Sequence, residues 1–135
     1  GDLYIFVNVK EHDLFERDGA DLYCALPVPM TTAALGGELE APTIEGGKVK
    51  VTIPEGAQTG KKFRVKGKGM TRLNQKGRGD LLVEITVETP VGLNARQKEL
   101  LQQFCEAGGG EDCSPSSRGF FQKAKHFWEE LRDSQ

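Results

Sequence analysis

The phrase "GDLYIFVNV" occupies Gly1–Val9, and "GDLLVEITV" occupies Gly79–Val87, starting 78 residues later. Both place Gly-Asp-Leu ahead of a run rich in Val, Ile and aromatic or branched residues, which is strand composition. A unit that ends twice on the same strand phrase implies tandem copies of one β fold. Gly79–Val87 closes a complete unit. Gly1–Val9 is therefore expected to be the last strand of a preceding unit whose body lies outside this chain, making the chain a fragment. An apolar strand stripped of its sheet is expected to be disordered or to pair with another molecule.

At 135 residues the chain suits one domain with an appendage. Its net charge of −2 identifies no nucleic-acid or membrane partner. The charge is uneven, because eight cations and no acid fall between Glu55 and Asp80, leaving −10 elsewhere. No apolar run reaches the roughly 18–20 residues of a membrane span, and no secretory leader opens the chain. Cys24, Cys105 and Cys113 are odd in number and lack CxxC spacing, which argues against a disulfide framework or zinc site and fits a reducing cytoplasm. Seventeen glycines favour turns and β structure before Asn94.

Lys10–Asp21 reads as a polar linker pinned by Leu14-Phe15 and carrying the turn signal Arg17-Asp18-Gly19. Leu22–Pro29 reads as a strand whose two prolines favour an edge or a strand end. Residues 30–37, "MTTAALGG", predict one or two helical turns stopped by Gly36-Gly37. Glu38–Ile44 and Lys48–Pro54 flank a Glu45-Gly46-Gly47 turn as a hairpin, with Val49, Val51 and Ile53 on one face and Lys48, Lys50 and Thr52 on the other. A short strand puts Phe63 and Val65 inward, a glycine- and cation-rich loop spans Gly67–Gly79, and Leu81–Val87 is the next strand. From Asn94, an N-cap candidate, the period becomes helical through Leu100, Leu101, Phe104 and Cys105. A flexible Gly/Ser stretch, 108–117, then precedes a helix with one apolar stripe: Phe120, Phe121, Ala124, Phe127, Trp128 and Leu131.

Candidate chemistry is sparse. "GAQTGKK" at Gly56–Lys62 is one residue short of a phosphate loop, and Lys62 replaces the magnesium-binding Ser or Thr, so a plain turn is favoured. The basic stretch could track nucleic-acid phosphates, but Phe63 is its only aromatic, so an exposed basic loop able to steer an acidic partner is favoured. His12 and His126 have no Ser, Cys or Asp at triad-like spacing, and Glu38 and Glu40 share a solvated strand face; catalysis is not expected. The aromatic stripe needs a surface to cover it, because so short a helix is marginal alone. It docks either on its own β domain or on a second copy.

The stretches "AALGGELEAPTIEGGKVKVTIPEGAQTGKKFRVKGKGM" and "GRGDLLVEITVETPVGLNARQKELL", with "FFQKAKHFWEEL" near the end, resemble the C-terminal half of the DnaJ family of bacterial J-domain co-chaperones. The resemblance covers nearly the whole chain. It implies a mainly β fold: a two-sheet β-sandwich of short strands with one short internal helix, followed by C-terminal helices. The implied boundaries are 1–9 for the last strand of a preceding β domain, 10–20 for a linker, 21–93 for the second C-terminal β-sandwich domain and 94–135 for a helical dimerisation region. The family's HPD tripeptide and CxxCxGxG zinc motifs are absent from this sequence. Stimulation of a DnaK-type chaperone, and zinc, are therefore expected only of regions outside it, and no cofactor is expected here.

The function implied is ATP-independent holding of unfolded polypeptide by strand addition, strengthened by homodimerisation. The dimer contact is expected at Leu93, Leu100, Leu101 and Phe104, supported by Phe120, Phe121, Phe127, Trp128 and Leu131. A client groove is expected at Leu22, Leu26, Phe63 and Val65, although inward strand residues of this kind also serve as plain core. The alternatives are a basic-loop nucleic-acid binder and a module that only dimerises.

Overall fold

A computed structural model describes residues 14–73 and 76–134. The opening phrase Gly1–Val9 and the first part of the expected linker lie outside the described residues. The chain divides into two compact units, Gly1–Pro90 and Val91–Gln135.

The first unit is a sandwich of two sheets. Strands β1 (Glu16–Asp18), β2 (Asp21–Pro29), β5 (Lys62–Val65) and β6 (Leu81–Glu88) form one sheet in the order β1-β2-β6-β5. Strands β3 (Gly37–Pro42) and β4 (Lys48–Ile53) form the other, an antiparallel hairpin. The short helix α1 (Met30–Leu35) follows β2 directly and buries Ala33. The architecture expected from the sequence, mainly β with one internal helix and helices at the end, is the one observed.

Binary patterning sets the sandwich. Leu81, Val83 and Ile85 alternate along β6 and are fully buried, as are Leu22 and Val28 on β2. Ala41, Val51 and Ile53 close over them from the second sheet to make one core, and burying each large aliphatic side chain stabilises the fold by about 1.5–3 kcal/mol. Across the hairpin, Lys48–Glu40 (3.4 Å) and Lys50–Glu38 (3.9 Å) pair on the solvent face. Such exposed pairs contribute about 0–1 kcal/mol, so the core rather than these charges holds the sheets together.

Two local expectations are corrected and a third is narrowed. Part of the segment read as a linker is ordered in the sheet: β1 pairs antiparallel with the start of β2 around a turn at Gly19, whose φ is 61°. Of the two places the prolines favour, the strand end is met and the sheet edge is not: β2 closes at Pro29 and lies between β1 and β6. Its prolines are accommodated because β1 pairs only with Asp21–Tyr23, leaving Pro27 and Pro29 beyond its reach. The first hairpin arm ends earlier than read, at Pro42 rather than Ile44, while the second starts at Lys48 as read. Thr43 closes the turn, its Oγ1 accepting from the Gly47 amide at 3.1 Å.

One pairing has no signature in the periodicity. β2 and β6 run parallel over eight residue pairs, from Leu22↔Leu81 to Pro29↔Glu88. The crossover that parallel pairing requires is supplied by α1, β3, β4 and β5. At its end the loop before β6 packs onto the β1–β2 turn. The Gly69 amide donates to the Gly79 carbonyl (2.8 Å), the Gly79 amide to Met70 (2.8 Å), and the Met70 amide to Ala20 (2.7 Å). A Cβ on Gly69 or Gly79 would collide with the backbone of Ala20. Gly79→Ala is therefore expected to destabilise the first unit by about 1–3 kcal/mol or more through overpacking, read as a lower urea midpoint at unchanged slope.

In the second unit, α2 (Ala95–Phe104) starts on a reciprocal cap: Asn94 Oδ1 accepts from the Gln97 amide and Gln97 Oε1 from the Asn94 amide, both at 2.8 Å. A wide helical turn (Cys105–Gly109) and a 3₁₀ turn (Glu111–Cys113) lead to α3 (Pro115–Asp133). The stretch 108–117 thus comprises a hydrogen-bonded turn and the start of a helix. Pro115 stands at the helix start, where a missing amide costs nothing.

Candidate functional site

The register sorts the four-stranded sheet into two faces. Glu16, Tyr23, Leu82 and Arg64 form one row across its outer face, and Ala25, Glu84 and Lys62 form the next. A depression of about 400 Å³ lies here, lined by Leu14, Tyr23, Ala25 and Leu82 with Glu16, Glu84 and Lys62 about it. Tyr23 and Leu14 are 40% and 53% exposed. The depression is an apolar floor with charges of both signs at its margin.

The residues expected to line a client groove sit on the other face. Leu22 is fully buried, and Leu26, Phe63 and Val65 pack half-buried against the core. Period-2 alternation identifies this apolar face, and it is the face that packs on the core. The outer depression was missed because its residues are polar, small or isolated in the sequence. The signal available was Tyr23 and Leu82 at alternate, otherwise polar positions.

The arginines of the basic stretch are tied down. Arg64 meets the Asp80 carboxylate at 2.7 Å. Arg78 pairs with Glu45 at 2.9 Å and donates to the Gly69 carbonyl at 2.8 and 3.0 Å, while Arg72 donates to the Arg78 carbonyl at 3.4 Å. The arginines stitch the loop, and Lys61, Lys62, Lys66, Lys68 and Lys76 remain as exposed or half-buried charges without an ion pair among the described residues. The "GAQTGKK" turn is likewise closed to phosphate. Its Gly56 and Ala57 amides both donate to the Ala33 carbonyl (2.9 and 3.1 Å), and the Gly60 amide donates to Ile85 (2.9 Å).

His126 pairs with Glu130 at 3.0 Å on the surface of α3. Among the described residues, no group of three or more His, Cys, Asp or Glu could hold a metal ion, and no helix is long and apolar enough to cross a membrane. Cys24 is buried, which pushes its thiol pKa up.

The second unit carries the other candidate surface. None of its described residues is buried. Phe120, Trp128, Phe127, Phe121 and Leu131 on α3 are 49–65% exposed, as are Phe104 (55%) and Leu100 (47%) on α2, with Leu93 and Leu101 half-buried. Phe120 and Phe121 meet edge to face, centroids 5.2 Å apart. So many exposed large apolar side chains in one small unit point to an interaction surface.

Together these features define a β-sandwich module that carries an uncovered amphipathic helical extension. The DnaJ C terminal domain model matches residues 1–90, and the Chaperone protein DnaJ C-terminal region model matches residues 96–130. The chain is 63% identical to the chaperone protein DnaJ of Hyphomonas neptunium over 129 residues, 95% of this chain and 33% of that protein. It is 57% identical to that of Paramagnetospirillum magneticum over 135 residues (98% and 35%) and 58% identical to that of Caulobacter vibrioides over 141 residues (99% and 36%). The chain belongs to the DnaJ C-terminal domain family, a family of chaperones rather than enzymes, and spans about a third of the length of these relatives.

Asp80 links the loop to the sheet and makes it acid-sensitive. The Gly67 amide (3.0 Å) and the Arg64 guanidinium hold its carboxyl below the usual carboxylate range. A depressed folded-state pKa contributes stability above the unfolded value, about 3.9, that is lost as pH falls through the folded value. Acidifying from pH 5 to below about 3 is expected to lower the urea midpoint of the wild type more steeply than that of Asp80→Asn, which starts lower at pH 7.

Proposed function

We propose that this chain is a polypeptide-holding and self-associating module of a cytoplasmic co-chaperone. It acts without ATP and supports a DnaK-type chaperone through regions outside this sequence. The observation that carries the reading is the helical unit, whose apolar side chains, large and numerous, have no cover. Most of a helix's stability comes from packing its amphipathic face, and a second copy supplies the missing surface. Leu93, Leu100, Leu101 and Phe104 are assigned to that contact with Phe120, Phe121, Phe127, Trp128 and Leu131.

The client surface is assigned to the outer depression on the four-stranded sheet. Its apolar floor accepts one large side chain of an extended segment, and the mixed charges at its margin tolerate varied neighbours. Two such sites in one dimer raise the effective concentration for a long unfolded chain. A nucleic-acid reading is less favoured, since the three loop arginines that could clamp phosphates are engaged with Asp80, Glu45 and backbone carbonyls.

The two parts are separable. Trp128→Asp is expected to weaken association by about 30-fold or more, the effect of losing an aromatic hot spot of about 2 kcal/mol, read by sedimentation equilibrium. Retention of wild-type association by both Trp128→Asp and a double variant at Leu100 and Phe104 would refute self-association through this unit. Leu82→Asp is expected to leave association and thermal unfolding unchanged while abolishing suppression of aggregation of a denatured protein. Full suppression by that variant would move the client surface elsewhere, and salt-sensitive binding of oligonucleotides at comparable strength would favour the nucleic-acid reading.

A further inference from the structure

Two of the three thiols are exposed, and both lie in the turn between α2 and α3. Cys105 begins the wide helical turn, and Cys113 ends the 3₁₀ turn. Gly110 lies between them in sequence and approaches both. A Cβ built on Gly110 would be 3.5 Å from the Cys105 sulfur. The Gly110 carbonyl accepts from the Cys113 amide (3.3 Å) and from Ser114 Oγ (2.9 Å). The chain has therefore already reversed so that both cysteines flank one residue.

Three consecutive glycines make the turn adjustable where a disulfide needs adjustment. Gly108 has φ 102°, a left-handed conformation that favours glycine. Gly109 has no room for a side chain because the Phe104 ring lies against it, which fixes one side of the turn. Gly110 places no side chain beside the Cys105 sulfur. Disulfide formation requires Cα atoms roughly 4.4–6.8 Å apart, and glycine backbone adjusts at low cost.

We propose that Cys105 and Cys113 form a reversible intrachain disulfide that locks the turn between α2 and α3, an oxidation-sensitive hinge within the helical unit. With hydrogen peroxide as oxidant, one thiolate attacks a peroxide oxygen. An S–O bond forms, the O–O bond breaks, and hydroxide leaves as water after taking a proton. The second thiolate displaces the sulfenic oxygen, forming the S–S bond and releasing a second water. Two thiols are thus oxidised as one peroxide is reduced to two waters, and a dithiol reductant reverses the change. Cys24, buried in the sandwich core, stays out of the exchange.

The test uses the full chain treated with stoichiometric hydrogen peroxide, followed by non-reducing peptide mapping and thiol titration in denaturant. The expected result is a Cys105–Cys113 link within one chain, Cys24 as the remaining thiol, and slower amide exchange over 111–119 that dithiothreitol reverses. The link is expected to form several-fold faster in native buffer than in urea, and to be absent from Cys105→Ser and Cys113→Ser. Three outcomes would overturn the proposal: cross-links mainly between chains, conversion of both cysteines to sulfinic acid without a link, or equal rates in native buffer and urea.

Discussion

The side-by-side parallel register of β2 and β6 decides what every other residue of the first unit does. It is set at one end by a compact knot. Leu22 donates its amide to the Asp80 carbonyl at 2.9 Å, the Asp80 amide donates to Asp21 Oδ1 at 2.7 Å, and the Ala20 carbonyl accepts from Met70. Side chains alternate faces with a period of two, so a slip of one residue would exchange the buried and exposed sets. With the knot in place, Leu22, Leu81, Val83 and Ile85 face the second sheet, while Tyr23, Leu82 and Glu84 face out. Sandwich core and outer depression are two consequences of one register.

The two units distribute apolar surface in opposite ways. The sandwich encloses its large aliphatic side chains between sheets and shows mainly charge to solvent. The helices enclose nothing of their own, and they rely on a capping box at Asn94, Pro115 at a helix start and local ion pairs such as Arg96–Glu99. Caps contribute on the order of 1 kcal/mol each and exposed pairs less. Such devices define where the helices begin but do not hold them against the loss of chain entropy. Under the proposed self-association, cover over Phe104, Phe120, Phe121, Phe127 and Trp128 would supply the rest.

Much of this was readable beforehand, for reasons that also explain what was not. Local periodicity revealed the β3–β4 hairpin, the inward run of β6, the Asn94 cap and the aromatic stripe of α3, because each depends on residues within a few positions of one another. The resemblance to known co-chaperones supplied the sandwich. The parallel pairing of β2 with β6 was invisible, since it joins residues 59 positions apart and alternation alone does not carry strand direction. Leu22, Leu26, Phe63 and Val65 announce an apolar face in the same way, and only the opposing sheet shows that this face packs on the core. The turn at 108–114 was read as flexible from its glycines. The Phe104 ring on Gly109 and the Ser114 hydroxyl on Gly110 use those glycines for close packing.

The recurrence of Gly-Asp-Leu now has a physical reading at its second occurrence. Gly79 has no space for a side chain because the backbone of Ala20 lies against it. Asp80 receives the Gly67 amide and the Arg64 guanidinium on its carboxylate. Leu81 is fully buried, the first of the inward residues of β6. Three neighbouring positions thus meet three unrelated demands: close backbone approach, a negative acceptor and apolar volume. A phrase meeting all three marks a junction where a loop turns into the central strand of a sandwich, and strand propensity alone would require none of them except the last. That is why the tripeptide, more than the loosely alternating residues after it, identifies the unit.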